Sequence, residues 1–257
     1  MNLKIFALSI LTSIAIATLS YFIGRRKGRR FDVIDSFWGI LFIGISMINF
    51  IATDTKSFYK VATLLIVFIW GLRLSVHIFR RWLRTTSEDP RYVQMRKNWP
   101  KKLFNLQIYA RIYILQAVLA VIVCLPIITI LNSTHQPNLL FIVGAIVWIL
   151  GFIFETVADK QLKNFIEDPK NKGKLMTKGL WSVSRHPNYF GEITLWWGFA
   201  IMSLSVKNGW LGILGTALIS FLIIFVSGVP LAEKRTALKP GWAEYTKKTN
   251  KLLPLRR

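Results

Sequence analysis

The chain has 257 residues, 53% of them hydrophobic, a formal net charge of +22 and a single cysteine. With a mean hydropathy of +0.43, this composition excludes an ordinary soluble domain. Cys124 lies alone inside an apolar run, which excludes a disulfide framework and a thiol metal site. On a soluble protein the charge would suggest nucleic acid; here it sits in short loops between apolar blocks, where membrane topology puts it, so no nucleic-acid partner is expected.

The apolar blocks are long enough to cross a hydrocarbon core, which takes about 20 helical residues. The short alternating segments of a closed barrel are missing. The first block, Leu3 to Ile23, follows one lysine and ends at Arg25-Arg26-Lys27-Gly28-Arg29-Arg30. That is the reverse polarity of a signal peptide, so it reads as a transmembrane helix. Further spans are predicted at Ile34–Ala52, Val61–Phe79, Ile108–Leu131, Leu139–Ala158, Ile193–Val206 and Trp210–Pro230.

Segments 25–30, 80–102, 160–185 and the tail after Glu233 are rich in Lys and Arg, whereas 53–60, 132–138 and 207–209 are nearly neutral. This alternation predicts an all-α polytopic bundle of about seven helices, with the amino terminus outside and the carboxyl terminus cytoplasmic. No repeat or low-complexity tract interrupts it. A single transmembrane domain is expected over 1–257, with amino-terminal helices at 3–131 and a second region at 139–257. The long loop 80–107 is expected to hold a short helix.

Ionisable groups inside or beside spans are costly and mark sites by default. Asp35 precedes Trp38-Gly39 in the second run, where a cavity-facing role competes with simple helix-start placement. Arg73, His77, Arg80 and Arg84 share one helix face. Arg84 suits a snorkelling helix end, but Arg73 lies nearly three turns inside the apolar run, and with His77 it is expected to line a polar cavity. Glu155 and Asp159 lie four residues apart at a helix's carboxyl end, where negative charge is unfavourable and calls for partners. The three histidines are scattered without ligand spacing, so no metal is expected. No Walker loop, G-x-G-x-x-G or nucleophile elbow is present.

The densest polar constellation is Gly179 to Glu192, with Ser184-Arg185-His186-Pro187-Asn188-Tyr189-Phe190-Gly191-Glu192 at its core and Trp196-Trp197-Gly198 beyond. These residues resemble the bacterial membrane proteins grouped with the steroid 5-alpha-reductase carboxy-terminal domain. The likeness extends to Asp35-x-x-Trp38-Gly39, Trp70-Gly71-Leu72-Arg73-Leu74, Asp89-Pro90-Arg91-Tyr92, Ala158-Asp159-Lys160-Gln161, Glu233-Lys234-Arg235 and Tyr245.

The resemblance implies a helix bundle in a bacterial inner membrane that binds NADPH and reduces an activated C=C bond of a lipophilic substrate entering from the bilayer. No obligate protein partner is implied. Asn188 then contacts the nicotinamide end with Glu192 supporting it, while Glu155 and Asp159 lie near the adenosine part, Glu155 replacing an expected Asn. Lys174 stands where an Arg would meet phosphate, and Tyr245 lies in the same neighbourhood. Arg73, His77, Arg185 and His186 complete the cofactor-binding candidates, and Asp35, Tyr189 and Glu192 are the catalytic candidates. Either a protonated Asp35 or a nearby tyrosine would polarise the substrate carbonyl. Arg-His-Pro-x-Tyr before a terminal hairpin is also similar to membrane isoprenylcysteine and phospholipid methyltransferases, which implies S-adenosylmethionine as the alternative cofactor.

Overall fold

The computed structural model of the chain describes residues 3–26, 28 and 30–255, with Arg96 and Lys101 described by their backbone alone. No strand occurs among the described residues; Ser184 and Asn250 form an isolated parallel bridge. The chain divides into two compact units, Met1–Gln136 and Pro137–Arg257. Among the described residues, six helices are long and apolar enough to cross a membrane: Leu3–Arg26, Phe31–Ala52, Phe58–Arg84, Phe104–Val123, Leu139–Glu167 and Leu211–Thr236. The protein is a polytopic helical membrane protein.

The first unit contains α1 (Leu3–Arg26), α2 (Ile34–Ala52, led in by a 3-10 turn), α3 (Phe58–Arg84) and α4 (Pro90–Asn98). It ends with α5 (Phe104–Ile108), α6 (Leu115–Val123) and α7 (Leu125–Asn132), a π-helical segment joining α5 to α6. On α1 the buried positions include Ser9, Ser13, Ala17, Ser20 and Gly24, three or four residues apart. Small residues on one face let backbones approach where no hydrophobic force separates helix from lipid, and Ser13 Oγ donates to the Ala117 carbonyl at 2.9 Å.

Asn49 Nδ2 donates to Ser9 Oγ at 2.8 Å and Asn132 Nδ2 to Asn49 Oδ1 at 2.7 Å, joining α1, α2 and α7 through the buried Asn49 amide. The helices α2 and α3 cross where a Cβ on Gly39 would overlap the Gly71 carbonyl, and one on Gly71 would lie 2.8 Å from the Gly39 oxygen. The two Trp-Gly pairs of the sequence therefore mark a backbone crossing.

The run expected as one span at Ile108–Leu131 is broken. The turn at Cys124 ends α6, and α7 restarts with Pro126 in its first turn. A proline there has no N–H to return to the preceding turn and its ring crowds that carbonyl. The helix expected within 80–107 is α4, capped by Asp89, whose Oδ1 accepts the Arg91 N–H at 2.9 Å, with Pro90 at its start.

The second unit contains α8 (Leu139–Glu167), α9 (Pro187–Leu204), α10 (Leu211–Phe221, continued by a π segment), α11 (Val229–Thr236) and α12 (Trp242–Lys248). The antiparallel pair α8 and α9 is its most extensively packed element. Glycines set the spacing of this pair. A Cβ on Gly144 would lie 2.6 Å from the Gly198 oxygen, one on Gly151 2.7 Å from the Gly191 oxygen, and one on Gly198 2.6 Å from the Trp148 nitrogen. Seven-residue spacing on both helices thus builds a seam from Glu155–Gly191 to Gly144–Met202.

Seven spans were expected, and among the described residues six helices meet the requirement of length and apolarity. The exception is the sixth expected span. Its helix α9 begins six residues earlier than the apolar run, at Pro187, and so includes Asn188 and Glu192. At 1.5 Å per residue, its 18 residues extend about 27 Å, and the glycine seam carries it back along the apolar half of α8.

Candidate functional site

The polar stretch 179–192 is fixed from three sides of the second unit. Gly179 has φ +61°, and a Cβ there would lie 2.6 Å from the Gln161 amide oxygen. This left-handed turn lets the Leu180 N–H donate to Gln161 Oε1 at 3.0 Å. Trp181 Nε1 donates to the Ala158 carbonyl of α8 at 3.1 Å. Tyr245 of α12 is buried and its hydroxyl donates to the Trp181 carbonyl at 2.5 Å. Burial raises that phenol to about 12, Arg185 partly opposing the rise, so it remains a donor at neutral pH.

Arg185 is the hub. Its Nε and Nη2 donate to Glu233 Oε1 of α11 at 2.9 and 2.8 Å. Its Nη1 donates to the Thr249 carbonyl at 2.8 Å and the Thr246 carbonyl at 3.3 Å, at the carboxyl end of α12. A guanidinium has five donors in a rigid fork and suits such a junction. Its backbone N–H reaches the Asn250 carbonyl at 2.9 Å, and Ser184 Oγ reaches the Leu252 carbonyl at 2.7 Å. His186 is buried, stacks on Tyr189 with ring centroids 5.7 Å apart, and has Nε2 3.4 Å from Glu233 Oε1. Burial lowers its pKa to about 4, outweighing the raising effect of Glu233, so the imidazole is neutral at pH 7.

These contacts anchor the chain just before Pro187, which occupies the first turn of α9 without needing an N–H partner. One residue on, Asn188 Nδ2 donates to Asp159 Oδ1 of α8 at 3.1 Å. Asn188 Oδ1 is buried and has no hydrogen-bond partner among the described residues. Glu155 is one turn away on α8, 2% exposed, with its backbone against Gly191. Tyr189 and Glu192 are half-buried on the first turns of α9. Lys174 is exposed, and Lys239 Nζ donates to its carbonyl at 3.0 Å. Of the predicted residues, then, Asp159 and Asn188 meet directly, Glu155 adjoins them, and Arg185, His186 and Tyr245 turn inward to hold the tail.

Asp35, Arg73 and His77 belong to the first unit. Asp35 Oδ2 accepts from Arg91 Nη2 at 2.7 Å. Arg91 Nε also reaches Asp89 Oδ1 at 3.0 Å, so α4 is tied to the start of α2. Asp32 accepts Trp82 Nε1 at 3.0 Å and the Asp89 N–H at 3.2 Å, and Glu88 accepts the Phe31 N–H at 3.0 Å. Arg73 and His77 are half-buried on one face of α3, while Arg80 and Arg84 are exposed. Sequence reasoning gave no role to Gln161, Glu233, Arg91 or Tyr92. Tyr92 is 2% exposed, and burial, with Asp35 adding, pushes its phenol well above the usual value. A polar pair flanking Pro90 was the available signal for α4.

The family described as "Protein of unknown function (DUF1295)" matches residues 20–249. The chain belongs to that family. An uncharacterized protein of Schizosaccharomyces pombe is 26% identical over 220 residues, 72% of this chain and 60% of its own length. The 3-oxo-5-alpha-steroid 4-dehydrogenase 1 of Macaca fascicularis is 31% identical over 114 residues, 44% of this chain and 40% of its own. A probable O-methyltransferase of Ustilaginoidea virens is 43% identical over 53 residues, 21% of this chain and 18% of its own. The aligned part of the chain therefore spans 60% or less of each of these relatives. No solved structure matches the chain.

Proposed function

We propose that the protein is a membrane reductase that uses NADPH to saturate an activated C=C bond in a lipophilic substrate. The observation that carries this reading is Asn188, whose amide nitrogen is engaged by Asp159 while its buried oxygen has no partner. An unpaired buried acceptor costs about 1–3 kcal/mol, and the carboxamide N–H of a nicotinamide is a donor that relieves it. The similarity to 3-oxo-5-alpha-steroid 4-dehydrogenase 1 supports the same assignment.

NADPH, when bound, supplies the hydride. Asn188 would hold its nicotinamide end, with Asp159 bonded to that same side chain and Glu155 one turn away on α8, and exposed Lys174 its phosphate, as a point charge without a bidentate fork. Arg185, His186 and Tyr245 act one step removed: they fix the first turn of α9 so that Asn188 keeps its orientation. A phenol on α9 is the candidate proton donor to the substrate oxygen. That phenol is Tyr189, beside Asn188. The orientation expected from loop charges and residence in a bacterial cell membrane belong to this proposal.

The methyltransferase match favours S-adenosylmethionine as a second reading. Titration of the purified protein with both cofactors decides between them. NADPH binding that weakens at least about ten-fold in Asn188→Ala supports the reductase, given the energy of a lost buried hydrogen bond. Binding of S-adenosylmethionine alone overturns it.

A further inference from the structure

The span Leu211–Thr236 runs directly into a segment that is both basic and apolar at its surface. From Lys234 to Leu255 there are six basic residues, Lys234, Arg235, Lys239, Lys247, Lys248 and Lys251, against one carboxylate, Glu244. Lys248 Nζ engages that carboxylate at 2.6 Å. Among these cations stand three exposed leucines, Leu238, Leu253 and Leu255. Leu238, 88% exposed, is the most exposed large hydrophobic side chain among the described residues. Membrane topology accounts for lysines beside a span but not for leucines held out among them. In the unit's other basic segment, 160–185, the exposed large hydrophobic is Ile166, and two acids, Glu167 and Asp168, follow it.

Ordered backbone presents these leucines. The Lys239 N–H donates to the Thr236 carbonyl at 3.0 Å and the Trp242 N–H to the Lys239 carbonyl at 3.3 Å, closing the turn that carries Leu238. At the other end Asn250 Nδ2 donates to the Leu255 carbonyl at 2.6 Å, folding 250–255 back on itself. The segment is also tied to the chain before α9: Arg185 and Ser184 donate to the carbonyls of Thr246, Thr249, Asn250 and Leu252.

We propose that the surface of 237–255 docks on the anionic phospholipid leaflet of the host membrane, its leucines at the acyl boundary and its lysines against the phosphates. An interfacial segment needs both chemistries, and a cluster of cations immediately after a span favours acidic lipid. Each cation adds about five-fold to partitioning onto such a surface, and each buried leucine about ten-fold. A soluble acidic protein or a nucleic acid would match the lysines and leave the leucines in water. Through Ser184 and Arg185, docking also holds the backbone that leads into α9. The inference uses no cofactor and stands independently of the reductase reading.

Amide hydrogen exchange of the full-length protein tests this in nanodiscs of phosphatidylcholine, with and without a third of it replaced by phosphatidylglycerol. Exchange over 237–255 and at 184–186 is expected to slow about five-fold or more in the acidic discs. The protection should vanish in molar salt, where the screening length is about 3 Å, and in the combined variant Lys247→Gln, Lys248→Gln, Lys251→Gln. Insertion is read separately from Leu253→Cys carrying a nitrobenzoxadiazole label, Cys124 being buried and shielded from the reagent. A lipid with a nitroxide on its acyl chain should quench that label several-fold more in the acidic discs.

Equal exchange in the two discs, or protection that survives in the glutamine variant, overturns the proposal. So does protection without extra quenching, which would leave the leucines in water. Soluble polyglutamate that protects 237–255 in neutral discs as well as acidic lipid does would mean an acidic protein partner instead. Protection that stops short of Arg185 overturns the extension to α9. The wild-type exchange comparison decides the matter even if either variant fails to fold.

Discussion

Replacing Gly191 by alanine probes the seam that sets the geometry of the site. The new Cβ would touch the Glu155 backbone nitrogen and lie 2.8 Å from both Glu155 Cα and Cβ, whereas ordinary contacts begin at 3.4 Å. The obstructing atoms are backbone or fixed to it, so no rotamer change relieves them, and α9 must move outward by at least about 0.6 Å. Overpacking of this kind costs about 1–3 kcal/mol. The better helix propensity of alanine returns up to about 1 kcal/mol, leaving a net loss of about 1–2 kcal/mol. For a chain of this size that lowers the unfolding midpoint by roughly 2–8 °C.

The same movement acts on Asn188, three residues away. Its 3.1 Å bond to Asp159 would open beyond normal hydrogen-bond length. Gly198→Ala is the internal comparison, because its Cβ meets the Trp148 nitrogen at 2.6 Å, seven residues further along α9. Both variants should lose stability, measured by fluorescence-detected thermal unfolding in detergent, but NADPH affinity should fall in Gly191→Ala only. A Gly191→Ala protein with the midpoint and NADPH affinity of wild type would refute the close crossing and the role drawn from it.

Four further outcomes are expected. His186 has a folded pKa of about 4 against about 6.5 unfolded, so the unfolded chain binds the extra proton first. Stability is full above about pH 6.5, declines below it, and is lower by about 3 kcal/mol once pH passes below the folded value; His186→Gln should flatten that part of the pH–midpoint curve. Tyr245→Phe leaves the Trp181 carbonyl without its hydroxyl donor and should cost about 1–2 kcal/mol in the same unfolding assay. Arg185→Lys cannot bridge Glu233 and two carbonyls at once, so trypsin should cut at Lys247, Lys248 and Lys251 several-fold faster, read by intact-mass time course. If the Tyr189 phenol donates the proton, Tyr189→Phe should reduce kcat by about 100-fold or more with little change in NADPH affinity; a small effect on kcat would exclude this tyrosine.

How much of this could be read from the chain alone varies by residue. Membrane class and helix content follow from the length and spacing of apolar runs, and the second span was legible to the residue, Ile34–Ala52. The break at Cys124–Pro126 was also written in the sequence, as a proline inside an apolar run, but hydropathy by itself reads across it. The start of α9 was hidden because its first turn is polar, so the helix is longer than its apolar run. Asn188 and Asp159 were both visible as costly polar residues, 29 positions apart, and the structure brings them within a hydrogen bond.

Orientation is what the sequence left open. Arg185, His186 and Tyr245 carry the chemical features of ligand-binding groups, and spacing cannot tell an inward-facing arginine from an outward-facing one. Only the tertiary structure decides this, because the groups that engage Arg185 are Glu233 and the carbonyls of Thr246 and Thr249, 48 to 64 residues away. Periodicity records which side of a helix is apolar. It records neither which distant backbone carbonyls end up within reach of a guanidinium nor which polar atom, such as Asn188 Oδ1, is left facing no partner once the fold has closed.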